Sequence, residues 1–322
     1  MNETHSVIQL SGVAKQFGAV RAVDGIDFTM QRGEICGCLG PNGAGKSTMI
    51  RMILAIIRPD AGSIRVLGGD PIDAKDRLGY LPEERGLYRK MKVGAFMAYM
   101  GRLKGLAGLA ARRRAAEALE RMELPGIMDR KCSDLSKGQQ QKVQFVSSII
   151  HEPEVLILDE PFSGLDPVNR RLFQSEVLAL RERGTTILFS THQMEQAERL
   201  CDRVMLVNRG RKLLDASVVD ALRQPGLRAL EAEPVAGATH AASTILGLDG
   251  VLAAVPNEDG KTIRIDLAND ADQRSVMRRI LESVDVRSIQ EARVTLDDVF
   301  IHLVGGAAAE SATTRASSGV PS

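Results

Sequence analysis

The segment Gly40-Pro41-Asn42-Gly43-Ala44-Gly45-Lys46-Ser47-Thr48 carries the plainest chemistry in the chain, because it matches GxxxxGK[ST] between an apolar run and a helical pattern. A glycine-rich loop lets backbone N–H groups wrap a phosphate without Cβ obstruction. The N-terminus of the helix behind it adds partial positive charge at the same point. Residues Gly40 to Thr48 therefore read as a phosphate-binding loop. Lys46 reaches the β- and γ-phosphates of a nucleotide, and the Ser47 hydroxyl ligates Mg2+.

A second element is Val155-Leu-Ile-Leu-Asp159-Glu160, an apolar run ending in two acids. A strand that ends in Asp puts a carboxylate at its C-terminal edge, where ligands sit in open α/β sheets. Asp159 suits the Mg2+ shell, and Glu160 is placed to polarise an attacking water. Four apolar residues and two acids are commonplace alone; the phosphate loop gives them meaning. In Leu135-Ser136-Lys137-Gly138-Gln139 the bland reading is that Ser136 caps the helix that follows.

These residues need elements to hold them. Ser6 to Met30 reads as short strands and turns, with Ile8/Leu10 and Ile26/Phe28 alternating against polar neighbours. Glu34 to Leu39 is a short apolar run entering the loop. Lys46 to Ile57 carries a helical pattern that Pro59 stops. Val155 to Leu158 and Thr185 to Phe189 are apolar runs separated by the helix-like Val168 to Arg183, the pattern of buried parallel strands in an α/β domain. From Gly86 to Ser133 the pattern turns helical, as in an insertion. The apolar spacing of Val93, Phe96, Met97 and Met100 suits a helix face, either core or partner contact. After Asp215 the character changes, with a boundary expected near Gln224-Pro225-Gly226. Strand-like Thr262 to Leu267 and helix-like Asp272 to Ser283 then fit a small α+β domain. Gly305 to Ser322, rich in Ala, Ser, Thr and Gly, reads as a disordered tail.

Composition excludes several classes. The chain has 322 residues, 44% hydrophobic and 26% charged, which is ordinary for a folded protein of two domains. Forty-two Lys+Arg against 41 Asp+Glu leave a net charge of +1, so there is no whole-chain electrostatic case for nucleic acid. Arg112-Arg113-Arg114 reads as a solvated helix face. Aromatic residues are 3% and Trp is absent, against stacking platforms for sugars or single-stranded bases. The four Cys, at positions 36, 38, 132 and 201, form no CxxC pair and read as buried thiols. MNETHSVIQL lacks the regions of a signal peptide, and no apolar run reaches the roughly 18–20 residues of a membrane helix. The expectation is a cytoplasmic chain whose membrane work needs spans from another protein.

The segment Leu135 to Gln139 resembles the signature motif of the ABC, or ATP-binding-cassette, ATPases. Flanking segments match in order: Lys15-Gln-Phe17-Gly18 around an aromatic, Gly79-Tyr-Leu-Pro-Glu83 as the Q-loop, Ser163-Gly-Leu-Asp166 as the D-loop and Ser190-Thr-His192 as the switch-histidine loop. The resemblance spans about residues 6–215. It implies a P-loop ABC-type cassette over 6–224, with an antiparallel β subdomain and a helical subdomain at about 86–150. A small C-terminal α+β domain over 225–304 and a tail over 305–322 follow. Lys137 replaces the first Gly of the signature pair. Glu83 stands where Gln is usual; it still offers oxygen to Mg2+ but cannot donate a hydrogen bond when ionised. Leu81 to Tyr88 and the ending Thr295-Leu-Asp-Asp-Val-Phe300 resemble the sodium-extrusion and drug-export branch.

The resemblance implies a mechanism. Phe17 stacks on adenine. The loop Gly40 to Thr48, the metal ligands Ser47, Glu83 and Asp159, and the catalytic Lys46, Glu160 and His192 act on one side of ATP and Mg2+. His192 binds the γ-phosphate or orients the water. Ser136, Gly138 and Gln139 of a second cassette close on the γ-phosphate from the other side, so the partners are a homodimer mate or similar subunit and a separate transmembrane permease, without nucleic acid. The chain is then an ATP-hydrolysing subunit at the inner face of the cell membrane that energises an exporter of sodium or a drug- or antibiotic-like cargo. The alternative is a soluble ABC ATPase acting on ribosomes or DNA. Such proteins usually fuse two cassettes or insert coiled coils or zinc sites, and this chain has one phosphate loop and neither insertion.

Overall fold

Runs with no polar side must be covered on both faces if they are strands, and three of them form the centre of a six-stranded sheet. The computed structural model describes residues 6–84, 86–223, 228–257, 259–268 and 270–304. They divide into two compact units, Met1–Val218 and Val219–Ser322. The boundary expected at Gln224-Pro225-Gly226 and the tail expected over 305–322 lie outside the described residues.

The first unit opens with β1 (Ser6–Phe17) and β2 (Val20–Gln31), an antiparallel pair of 12 residues each. They are longer than the short strands the alternation suggests. Register shifts, one of them between Leu10 and Val13, interrupt the period-two pattern without ending the pairing. Next come β3 (Ile35–Leu39), the phosphate loop, α1 (Lys46–Ile53) and β4 (Ala61–Val66), which pairs with β1. Helix α1 stops four residues before the expected Ile57. Ala55 adopts φ 52° and the Ile56 N–H donates to the Arg51 carbonyl at 2.9 Å, a left-handed cap that ends the helix ahead of Pro59.

β5 (Leu78–Leu81) leads into α2 (Val93–Leu103), α3 (Gly108–Arg121) and α4 (Lys137–Ile149). Val93, Phe96 and Met97 on α2 are buried and Met100 half-buried, so that stripe is core. Arg112 and Arg113 are exposed, and Arg113 and Arg114 pair with Glu117 and Glu152 at 3.7 and 3.3 Å. β6 (Val155–Asp159), α5 (Pro167–Glu182), β7 (Thr186–Thr191), α6 (Met194–Leu200), β8 (Arg203–Asn208) and β9 (Arg211–Ser217) follow. Phe145 of α4 meets Phe173 of α5 with ring centroids 4.9 Å apart.

The large sheet has the order β5-β6-β7-β3-β8-β9, parallel except for β9. Its register aligns Leu39 with Thr191 and Asp159 with Ser190, so β3, β6 and β7 end at one edge. A shared core of Ile8, Phe28, Ile50, Ile157, Leu188 and Met205 joins this sheet, α1 and the antiparallel sheet. Cys36 and Cys38 point into that core from one face of β3, and burial raises both thiols, Cys38 to about 12.

Helix α7 (Val218–Ala221) begins at the division between units. The second unit contains β10 (Ala229–Pro234), α8 (Ala238–Leu246), β11 (Val251–Pro256), β12 (Ile263–Leu267), α9 (Gln273–Ser283) and β13 (Val286–Glu291). The strands form an antiparallel sheet in the order β11-β12-β10-β13. Leu230, Ile263, Ile265, Ile245, Val276 and Ile280 unite the sheet with α8 and α9 in one core. Residues 296–304 are helical. The Asp298 N–H donates to Thr295 Oγ1 at 3.3 Å and the Thr295 N–H to Asp298 Oδ2 at 2.8 Å, a reciprocal cap that gives the Thr295-to-Phe300 ending a structural role. Asp298 also pairs with Arg264 of β12 at 3.0 Å.

His151 ties the end of α4 to β5. Its Nε2 lies 3.0 Å from the Leu78 carbonyl, which Lys104 Nζ also reaches at 2.9 Å. Desolvation pushes the imidazole from 6.5 down to about 4 against the opposing pull of the Leu78 bond. The unfolded chain therefore binds more protons between pH 6.5 and about 4, so the neutral ring's contribution is complete above 6.5 and is lost as pH falls through that window. The slope from one such group reaches about 1.4 kcal/mol per pH unit. His151→Gln, which keeps a donor for the Leu78 carbonyl, is expected to flatten the acid side of the stability profile in denaturant titrations. Identical acid slopes in variant and wild type would refute this.

Candidate active site

The phosphate loop is built on close backbone approach. Gly40 has φ 153°, and a Cβ there would lie 2.1 Å from the Val207 carbonyl oxygen. Gly45 has φ 108°, and a Cβ there would lie 2.3 Å from the Ala22 carbonyl oxygen. The Gly210 N–H donates to the Ala44 carbonyl at 2.8 Å, so the β8–β9 turn braces the loop from behind. Lys46 is buried, and its Nζ donates to the carbonyls of Gly40 at 2.6 Å and Pro41 at 3.1 Å. These bonds hold the ammonium at the mouth of the loop.

A cavity of about 610 Å³ opens there, lined by Asn42 to Thr48, by Val20, Arg21 and Ala22 of β2, and by Glu83, Glu160 and Arg209. The residues that the sequence pointed to as phosphate loop, Q-loop acid and base thus border one space. A neighbouring cavity of about 620 Å³ is lined by Glu83, Asp159, Glu160, Gln141 and Gln144 among others. Helix α4 is anchored beside it: Gln141 Nε2 donates to the Pro161 carbonyl at 2.7 Å and Gln144 Nε2 to the Glu84 carbonyl at 3.1 Å.

The two acids at the end of β6 are almost sealed from solvent, Asp159 at 5% and Glu160 at 8% exposure. Ser190 Oγ donates to Asp159 Oδ1, and Ser47 Oγ lies 3.4 Å from the same oxygen. Glu160 sits at φ 48°, a conformation uncommon outside glycine, and its N–H donates to the Ser190 carbonyl at 3.1 Å. His192 Nδ1 lies 2.9 Å from Glu160 Oε1. The sequence suggested a phosphate or water contact for His192; within the chain its partner is Glu160. For Mg2+, Ser47 and Asp159 face one another and Glu83 borders both cavities. No group of three His, Cys, Asp or Glu arranged for a metal occurs among the described residues. Mg2+ ordinarily takes one or two carboxylates together with substrate phosphates and water, and this hard-oxygen set fits that demand.

Other expected site residues lie apart. Ser136, Gly138 and Gln139 are at the start of α4 and do not line the phosphate-loop cavity. Ser136 caps the helix, with Oγ accepting from the Gln139 N–H at 3.3 Å and Gln139 Oε1 accepting from the Ser136 N–H at 3.0 Å. Phe17 is half exposed and pairs across the hairpin with Val20, which lines the cavity although Phe17 does not. Its ring carries Lys15 Nζ 5.6 Å from the centroid. Sequence reasoning missed Arg21 and Arg209 as lining residues, because nothing in the order of residues brings hairpin turns to the phosphate loop. It named Ser190 only as part of a motif.

The chain is similar to several known proteins. A family profile described as ABC transporter matches residues 23–163, and one described as ATP-binding protein DrrA1-3-like, C-terminal domain, matches residues 223–304. The chain is 36% identical over 304 residues to the uncharacterized ABC transporter ATP-binding protein YhaQ of Bacillus subtilis (strain 168), covering 93% of this chain and 99% of that protein. It is 34% identical to the daunorubicin/doxorubicin resistance ATP-binding protein DrrA of Streptomyces peucetius, covering 96% of each. A solved ATP-binding subunit of an ABC transporter superposes with a TM-score of 0.64 at 29% identity, over 68% of this chain and 92% of that one.

Because a Cβ at Gly45 would meet the Ala22 carbonyl, Gly45→Ala is expected to displace the loop. Nucleotide affinity in a fluorescence titration should fall by about tenfold or more, since over 1.4 kcal/mol of strain is at stake. Wild-type affinity in this variant would show that the loop tolerates the side chain.

Proposed function

The chain belongs to the ABC transporter family as one of its ATP-binding subunits, and on that premise we propose how its residues divide the work of hydrolysing ATP. The chain binds and hydrolyses ATP to energise a membrane transporter. The observation that carries the assignment of roles is the meeting of the phosphate loop, Glu83 and Glu160 around one cavity, with Asp159 and His192 bonded into the same strand ends. Lys46 and the loop N–H groups hold the β- and γ-phosphates, and Phe17 at the tip of the β1–β2 hairpin stacks on adenine. Glu160 accepts a proton from the attacking water as the new oxygen–phosphorus bond forms and the bond to the β–γ bridging oxygen breaks, releasing ADP and phosphate. His192 holds the Glu160 carboxylate through Nδ1. Mg2+ held by Ser47, Asp159 and Glu83 would neutralise charge on the phosphates.

Two copies, or this chain and a similar one, pair head to tail, with Ser136, Gly138 and Gln139 of the second closing on the γ-phosphate of the first. This is supported by the position of those residues at an exposed helix start, away from the chain's own phosphate loop. Donors converging on the γ-phosphate from both sides stabilise the charge in transfer. Among the described residues no helix is long and apolar enough to cross a membrane. In this reading a separate permease supplies the spans, and the chain works at the inner face of the membrane. The direction is export, and the cargo is drug- or antibiotic-like in preference to sodium. The support is the similarity, over nearly all of both chains, to a protein whose name records daunorubicin and doxorubicin resistance.

Glu160→Gln tests the core of this. Removal of the base is expected to lower kcat by about a hundredfold or more while ATP still binds. Light scattering should then show an ATP-bound dimer that the wild type does not accumulate. Turnover at the wild-type rate would remove Glu160 from the role of base.

A further inference from the structure

Strand β7 ends in two buried hydroxyls, Ser190 at 0% and Thr191 at 1% exposure. A hydroxyl withdrawn from water is costly unless bonded, and both are directed at the acids that end the neighbouring strand. Ser190 Oγ takes Asp159 Oδ1, and Thr191 Oγ1 donates to Glu160 Oε2 at 3.2 Å. The Gln193 N–H donates to the same Thr191 oxygen at 3.0 Å. A hydroxyl has one hydrogen, so with a backbone donor already on its oxygen that hydrogen is left for Glu160. The other Glu160 oxygen is taken by His192 Nδ1 at 2.9 Å. The terminal torsion of a Glu side chain is broad and roughly two-fold, so a carboxylate held at one oxygen alone keeps rotational freedom. Held at both, its plane is set before any water arrives.

We propose that Thr191 is a positioning residue for ATP hydrolysis: its hydroxyl fixes the second oxygen of Glu160 while His192 fixes the first. The inference rests on the reading of Glu160 as the base. Thr191 does not touch nucleotide in this account; it acts through Glu160. A turn-stabilising hydroxyl that serves only the Gln193 N–H is the competing explanation, and it makes no demand on the rate of the chemical step.

The test compares Thr191→Val, which keeps the shape and removes the donor, with Thr191→Ser, which keeps the donor, and with Glu160→Gln, all in the full chain. For Thr191→Val we expect kcat to fall by about tenfold, the scale of one hydrogen bond to a charged group. KM for ATP and the Kd for ADP should stay within about twofold, because the phosphate loop is intact, while the melting temperature should fall by a few degrees, because Val also leaves the Gln193 N–H without its acceptor. Thr191→Ser should restore kcat to within about twofold of wild type. Wild-type kcat in Thr191→Val, equal kcat losses in the Val and Ser variants, or a kcat loss accompanied by a raised KM would each overturn the inference. If Glu160→Gln is inactive while Thr191→Val is normal, the inference alone falls. If Glu160→Gln itself turns over normally, the reading of Glu160 as base falls and takes this inference with it.

Discussion

Two adjacent carboxylates at the end of a buried strand are the constraint around which the cassette is arranged. Asp159 and Glu160 are withdrawn almost completely from water, and a buried acid without partners would be too costly to keep. The neighbouring strand supplies most of those partners. Because β6 and β7 run parallel with Asp159 opposite Ser190, the last two residues of β7 bring their hydroxyls beside the acids, and His192 just after the strand brings an imidazole. The polar groups that make the site chemically useful are thus also the ones that make its burial tolerable.

The phosphate loop obeys a second constraint, of space. Gly40 and Gly45 face the carbonyls of Val207 and Ala22 so closely that no side chain fits, so the loop is pressed against the end of β8 and against β2. That contact makes the antiparallel sheet and the last strands of the large sheet part of the site although they contribute no catalytic group. It also brings Arg21 and Arg209 to the cavity rim. Lys46 is bonded back to the carbonyls of its own loop, as Asp159 and Glu160 are bonded to the hydroxyls that end β7.

Much of this was legible from residue order. The loop, the acids after Leu158, the helix start at Ser136 and the apolar stripe of α2 all follow from spacing and residue type, since each is a local relation between neighbours; that the stripe is core and not a partner contact does not. Helix α1 ends early because of Ala55, an ordinary residue in a left-handed cap that no glycine announces. The bulged strands β1 and β2 are longer than alternation implies, because bulges shift the period without ending the ladder. The capping box gives Ser136 a structural role: the hydroxyl that satisfies the Gln139 N–H stands at an exposed helix start.

The sequence alone determined the class of chemistry: a glycine-rich loop, a lysine, a hydroxyl and two acids in that order, in segments that are each continuous in the chain. What only the tertiary structure decided is which side chains hold which. Glu160 and His192 are 32 residues apart in sequence, and so are Ser190 and Asp159 less one. Their pairing depends on parallel strand register, which is set by the packing of the sheet against its helices. Register is a relation between distant segments, and one residue of slip would turn every one of these side chains to the other face.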